Sequence, residues 1–180
     1  MIGTVAAHAA DAADASVFGL TFGQPLRMPE CERSVGGDYQ VMTRHTCFQS
    51  RYGGKHTSIQ FPFAQSPKIM AGDTITCILI EGNLEGIAFN THGVSDSDRI
   101  FTELVNKYGK PSVIERPIVK NRIGAQFNSV DAVWSLPNLH VLFQGVASSI
   151  DSGIVYVQTS KGAAEFDIRM KALTRDPRPL

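Results

Sequence analysis

The sequence predicts an α+β protein in which an antiparallel sheet carries helices mainly on one face. Three observations lead to this class. Residues 95–111 have the pattern of one strongly amphipathic helix. Shorter segments on either side alternate in polarity like strands, and 16 Gly with 9 Pro indicate many turns. A helix with a single apolar face needs a sheet to cover, and the alternating segments can form one.

The helix is marked at both ends. Ser95 is a favourable N-cap, and Asp98 stands at the capping-box position three residues later. Gly109 and Pro111 then stop the helix. Between these signals, the apolar residues recur at helical spacing and form one face, made of Ile100, Phe101, Leu104, Val105 and Tyr108.

The other segments predict strands joined by turns. Strands are expected at residues 17–22, 39–43, 47–51, 57–61, 74–80, 84–91, 112–118, 127–136, 139–145 and 154–159. The dipeptide Pro137-Asn138 is expected at a hairpin tip, and residues 163–173 are expected to form a last helix with Phe166 on its apolar side.

The chain is expected to consist of two weakly similar halves after a leader. Residues 17–85 form the β-rich first half, and residues 86–175 form a strand, helix and strands followed by the C-terminal helix. Residues 1–16 contain no basic residue, are mostly small and apolar, and include Ala7-His8-Ala9, the A-x-A pattern of a signal-peptidase site. We therefore expect the remnant of an export signal and a periplasmic or secreted location. The alternative is a disordered Ala-rich leader.

Charge and hydropathy exclude two classes of partner. Seventeen basic and seventeen acidic residues cancel, so no net positive field is available to hold a phosphate backbone. No segment approaches the roughly 20 apolar residues that a membrane span needs. We expect neither nucleic-acid binding nor insertion into a membrane.

The three cysteines predict one disulfide and one free thiol. Cys31 and Cys47 bracket a polar segment, and a bridge between them would stabilise the fold by about 3 kcal/mol through loop closure. Cys77 lies in an apolar run and is predicted to be a buried free thiol. The chain has no CxxC motif and no Cys/His spacing suited to zinc, so no metal and no cofactor are expected.

Residues 86–160 resemble a known repeat. The helix ends in Tyr108-Gly109-Lys110-Pro111, a strand with Ala132-Val133-Trp134 follows, and the segment closes with IVYVQT at 154–159. This arrangement resembles the helix-on-sheet repeat of beta-lactamase inhibitory protein and of the small outer-membrane assembly lipoproteins similar to it. The whole chain also looks like uncharacterised exported proteobacterial proteins. The resemblance implies that the protein acts by binding other proteins rather than by catalysis.

Sequence motifs offer little support for an enzyme. Neither G-x-S-x-G nor H-E-x-x-H occurs. His45 stands close enough in sequence to activate the Cys47 thiol, but an exported cysteine with a partner is more often bridged. His92, Asp96 and Asp98 cluster at the helix start as a possible metal or anion site, although two carboxylates there are more simply partners of the helix dipole.

A sheet covered by helices on one face leaves the other face available for a partner. The candidate partner-binding residues on that face are Tyr39, Phe48, Tyr52, His140 and Tyr156. Residues 53–56 and 148–153 are expected to form its rim, whereas Trp134 is expected in the core against Phe101 and Tyr108.

Together these observations predict an exported, non-catalytic protein-binding protein of the inhibitor or immunity type. Its partner would be an enzyme, a toxin or an envelope component. The alternative is a periplasmic protein that binds a small molecule or cell-wall fragment in the crevice between the halves. An unrecognised hydrolase is the weakest alternative.

Overall fold

The computed structural model describes residues 16–40, 42–51 and 56–175. The predicted leader, residues 1–16, lies outside these ranges except for Ser16. The strands are β1 (Ser16–Val17), β2 (Leu20–Thr21), β3 (Cys47–Arg51), β4 (His56–Gln60), β5 (Thr74–Ile80), β6 (Asn83–Thr91), β7 (Val113–Glu115), β8 (Ile118–Lys120), β9 (Gln126–Asn128), β10 (Asp131–Ser135), β11 (His140–Ser149) and β12 (Ser152–Gln158). The helices are α1 (Ser97–Tyr108) and α2 (Ser160–Arg175), with 3-10 turns at Phe63–Gln65 and Gly93–Ser95.

One eight-stranded antiparallel sheet organises the molecule, which confirms the predicted α+β class. Its strand order is β3-β4-β5-β6-β12-β11-β10-β7. At its centre β6 pairs with β12 along six residue pairs, from Thr91 opposite Gly153 to Gly86 opposite Gln158. The expected boundary between halves, at residues 85 and 86, therefore falls inside a central strand, and the sheet is continuous across it.

The core lies between α1 and one face of the sheet, called here the inner face. Ile100, Leu104 and Tyr108 recur every four residues along α1 and are buried against it. Trp134 on β10 is fully buried between the sheet and the rings of Phe101 and Tyr108, at centroid distances of 6.2 and 6.5 Å. Its predicted place in the core is thus confirmed.

The second helix packs on the opposite, outer face. Phe166 of α2 contacts Tyr156 of β12 with 5.1 Å between the ring centroids, and Tyr156 points away from its buried neighbours Val155 and Val157. Near its start, Gly162 lies directly against the backbone of Glu85 in β6. The two helices therefore pack on opposite faces of the sheet, and the expectation that they lie mainly on one face is not met. Periodicity defines the apolar side of a helix but not the sheet face that it covers.

The structure corrects the predicted helix start and the predicted strand at 39–43, and it divides each of the predicted strands at 17–22, 112–118 and 127–136 into two. The predicted N-cap Ser95 belongs to the preceding 3-10 turn, where its hydroxyl donates to the carbonyl oxygen of His92 at 2.8 Å, and Asp96 occupies the N-cap position. The predicted strand at 39–43 does not form in the part that is described, where Tyr39 makes only an isolated bridge to Arg33.

The start of α1 is held by a close contact between two turns. Gly93 has a φ of +59°, and a Cβ at this position would overlap the carbonyl oxygen of Ile150 in the β11–β12 turn. The amide of Val94 donates to that same oxygen at 2.8 Å. Only glycine satisfies both the left-handed backbone and the close approach.

We expect Gly93→Ala to destabilise the protein much more than Gly124→Ala does. Gly124 also has a positive φ, +85°, but a Cβ there would meet nothing within 4 Å. The Gly124 variant should lose about 1 kcal/mol from backbone strain alone, and the Gly93 variant should lose about 2 kcal/mol more because the turns must separate. Urea denaturation measures both losses. Equal losses would show that the contact between the turns contributes nothing to stability.

Candidate protein-binding surface

The outer face carries a row of apolar side chains across four adjacent strands. Val113, Val133, Leu142 and Tyr156 are successive cross-strand partners on β7, β10, β11 and β12. Val113 is 52% exposed, and the other three are partly exposed. With strands about 4.8 Å apart, the row spans roughly 14 Å. We call these four residues the apolar strip.

The character of the row changes on the other half of the sheet. Beyond Tyr156 the cross-strand partners are Ala88, then Thr76 and then Ser58, of which Thr76 is exposed. The apolar strip thus begins at the β7 edge and ends beside α2. The polar half of the same row is a natural comparison for its properties.

Two predicted candidates lie on this surface. His140 stands two residues before Leu142 on β11, on the same face, and its Nε2 atom is 3.5 Å from the hydroxyl of Ser160. Tyr156 belongs to the strip, but Phe166 covers part of its ring, and burial raises the pKa of its phenol. The surface therefore offers one polar and one aromatic side chain beside the aliphatic residues.

The other three candidates do not contribute to the strip. Phe48 lies on the inner face, where it pairs with fully buried Ile59 and packs against the core. Tyr39 lies in the disulfide loop, where its phenolic oxygen accepts hydrogen bonds from Arg33 at 2.6 Å and from the amide of Ser50 at 2.9 Å. Tyr52 lies outside the described residues. Sequence reasoning favoured aromatic residues, whereas strand register placed aliphatic ones outward.

The Tyr39 cluster has a structural role in the loop. The Glu30 carboxylate contacts both the Tyr39 hydroxyl and the Arg33 guanidinium, and these two hydrogen bonds lower the pKa of Glu30. Partial desolvation of the Tyr39 phenol, together with its hydrogen bond to Glu30, raises the pKa of Tyr39. The cluster fastens the loop to the backbone of β3 at Ser50.

The predicted disulfide between Cys31 and Cys47 is confirmed. The bridge holds the segment before it along the edge of the sheet: the Cys31 amide donates to the carbonyl of Phe48, and the Phe48 amide donates to that of Pro29, at 2.8 and 2.9 Å. Since Cys47 is bonded to Cys31, it offers no thiol for His45 to activate.

The remaining candidates for chemistry are engaged elsewhere or do not converge. The Asp96 carboxylate pairs with Arg99 at 2.7 Å, and that of Asp98 lies 3.4 Å from Arg116. Among the described residues, no three His, Cys, Asp or Glu side chains are grouped to hold a metal ion. Neither described helix is long and apolar enough to cross a bilayer.

The expected halves, residues 17–85 and 86–175, are joined by the pairing of β5 with β6, and two of the described concavities lie beside the disulfide and next to α1. An open groove of about 690 Å³ lies beside the disulfide and is lined by charged Glu30, Glu32 and Arg44 together with Met42. A smaller apolar hollow of about 160 Å³ lies between Phe18 and α1.

Comparison with known proteins adds no assignment: no family model, no curated protein and no solved structure matches the chain.

Burial separates Cys77 chemically from the other cysteines. Its thiol lies within the core, and desolvation raises its pKa to about 12. At pH 8 the folded protein should therefore react with a thiol reagent far more slowly than the urea-unfolded protein, because the thiolate is the nucleophile. Titration of unfolded, unreduced protein should find one thiol, and prior reduction should raise the count to three. Three thiols without reductant would contradict the disulfide.

Proposed function

We propose that this protein acts outside the cytoplasm by binding another protein through the apolar strip, as an inhibitor or immunity protein does. The observation that carries the proposal is the strip itself, because four apolar side chains side by side on a sheet face form a surface that water solvates poorly. Protein interfaces combine a core of such apolar residues with a polar rim.

The surroundings of the strip support this function. His140 offers a polar group beside Leu142, and Tyr156 supplies the aromatic type that is enriched at binding hot spots. Asp131 lies on the same face one row away, where desolvation raises the pKa of its carboxyl although the Gly145 amide donates to it at 3.1 Å. A partner that covers the strip would meet apolar and hydrogen-bonding groups together.

The location and class of the protein are supported by two further features. The disulfide between Cys31 and Cys47 is typical of proteins from oxidising compartments outside the cytoplasm. The resemblance of residues 86–160 to beta-lactamase inhibitory protein points to the same class of activity and stays a prediction.

A small molecule or cell-wall fragment is the second candidate ligand. The groove beside the disulfide, with a volume of about 690 Å³, favours such a ligand, because acidic Glu30 and Glu32 line it together with basic Arg44. Such a mixed lining suits a polar ligand with several hydrogen-bonding groups.

Leu142→Asp should abolish partner binding, while Thr76→Asp should preserve it. Both residues lie in the same cross-strand row of the outer face, so the two variants introduce the same charge on the same side of the sheet, at partly exposed Leu142 and at exposed Thr76. Burying an unpaired carboxylate in an apolar interface costs several kcal/mol. The full chain is used to capture proteins from an envelope extract of the source cell, the retained protein is identified by mass spectrometry, and its purified form is titrated against each variant.

Circular dichroism melting of both variants controls for misfolding. A stoichiometric partner that is retained by the Thr76 variant and lost from the Leu142 variant supports the proposal. A partner that binds the Leu142 variant with unchanged affinity, or the absence of any stoichiometric partner, contradicts it.

A further inference from the structure

A second exposed apolar region begins where the strip ends. Val113 and Ile114 on β7 are 52% and 46% exposed, and Ile118 and Ile123 in the following β8–β9 hairpin are 64% and 89% exposed. We call residues 117–128, which contain this hairpin, the arm. When several side chains of this size are exposed in one short segment, they mark a surface that another molecule covers.

The same region has a net positive charge, although the whole chain is neutral. Residues 110–128 contain four basic residues, Lys110, Arg116, Lys120 and Arg122, against Glu115, which gives a net charge of +3, while the whole chain sums to zero. Arg116 lies 3.4 Å from Asp98 in an exposed ion pair. In the described ranges, Lys110, Lys120 and Arg122 form no ion pair. The field around the arm therefore favours an acidic partner.

The strand β7 is also an end of the sheet. It pairs with β10 on one side, at Val113–Val133, Ile114–Ala132 and Glu115–Asp131. At the other end of the sheet, the disulfide-linked segment around Cys31 is hydrogen-bonded along β3. An edge strand with apolar side chains is a template for another strand.

We propose that the β7 edge and the arm bind an extended, acidic segment of the partner protein, which adds to the sheet beside β7. This inference rests on the proposed function, because Val113 belongs to both the edge and the apolar strip. The side chains of Val113 and Ile114 point to opposite faces of the sheet. An added strand covers both, since its own side chains alternate between the faces, whereas a membrane surface covers one side only. Acidic side chains of that strand would meet Arg116, Lys120 and Arg122.

Peptide selection tests the chemistry of this segment directly. Random peptides displayed on phage are selected on the immobilised full chain, and the enriched peptides are synthesised and titrated into isotopically labelled protein by NMR. We expect an excess of Asp and Glu over Lys and Arg in these peptides, and amide shifts at 113–115 and along the arm. High salt should weaken the binding, because it screens exposed charges.

Matched double variants separate local charge from total charge. Lys120→Ser with Arg122→Ser removes two charges from the arm, and Lys68→Ser with Lys161→Ser removes two exposed charges elsewhere. The arm variant should bind the selected peptides about tenfold more weakly, and the control variant should bind them unchanged. All four side chains are exposed, so we expect both variants to fold.

Several results would overturn the inference. These are the failure of any peptide to be enriched over the bare support, enrichment of neutral or basic peptides, shifts confined to other strands, and equal weakening by both double variants. Binding of the full chain to phosphatidylserine-containing vesicles that is lost with the arm charges, without peptide binding, would assign the arm to a membrane surface instead. A captured partner that is lost with Leu142→Asp but retained by the arm variant would overturn this inference and leave the proposed function standing.

Discussion

The packing of Trp134 between α1 and the sheet is the contact on which the rest of the structure depends. Its indole N–H donates to the carbonyl oxygen of Gly109 at 2.8 Å, just after the last residue of the helix, while its ring is fully buried. One side chain on β10 therefore satisfies a carbonyl at the helix C-terminus and fills the space beneath Phe101 and Tyr108. Because α1 is attached in this way, the inner face is occupied by the protein's own core.

Occupation of the inner face determines what the outer face can do. The β6–β12 pairing makes the sheet continuous through the middle of the chain, so all eight strands present one shared outer surface. The terminal helix packs against β5, β6 and β12, where its Phe166 contacts Tyr156 and its Gly162 lies against Glu85. The strands from β11 to β7 keep Leu142, Val133 and Val113 accessible. This uncovered apolar area is the physical basis of the proposed binding function.

The two ends of the sheet differ because only one of them is near the disulfide. The bridge from Cys31 to Cys47 holds a loop along β3, and the Tyr39 cluster fastens the same loop to Ser50. At the β7 end, the chain turns instead into a small hairpin that carries exposed Ile118 and Ile123 with basic neighbours. A protein that covers one edge with a covalent link and leaves the other apolar and positively charged is suited to association through the second edge.

Local sequence information determined α1 and several of the strands, and tertiary structure decided the faces that they present. The spacing of Ile100, Leu104 and Tyr108 predicted α1, the polarity pattern predicted β3 and β5 with their observed bounds, and the cysteine spacing predicted the bridge. The binding surface was predicted only in part: His140 and Tyr156 lie on the outer face, whereas Phe48 lies on the inner one. The reason is the two-residue period of a strand, which states that neighbours face apart but not which of them faces solvent. That choice required the pairing of β6 with β12 and the side on which each helix packs.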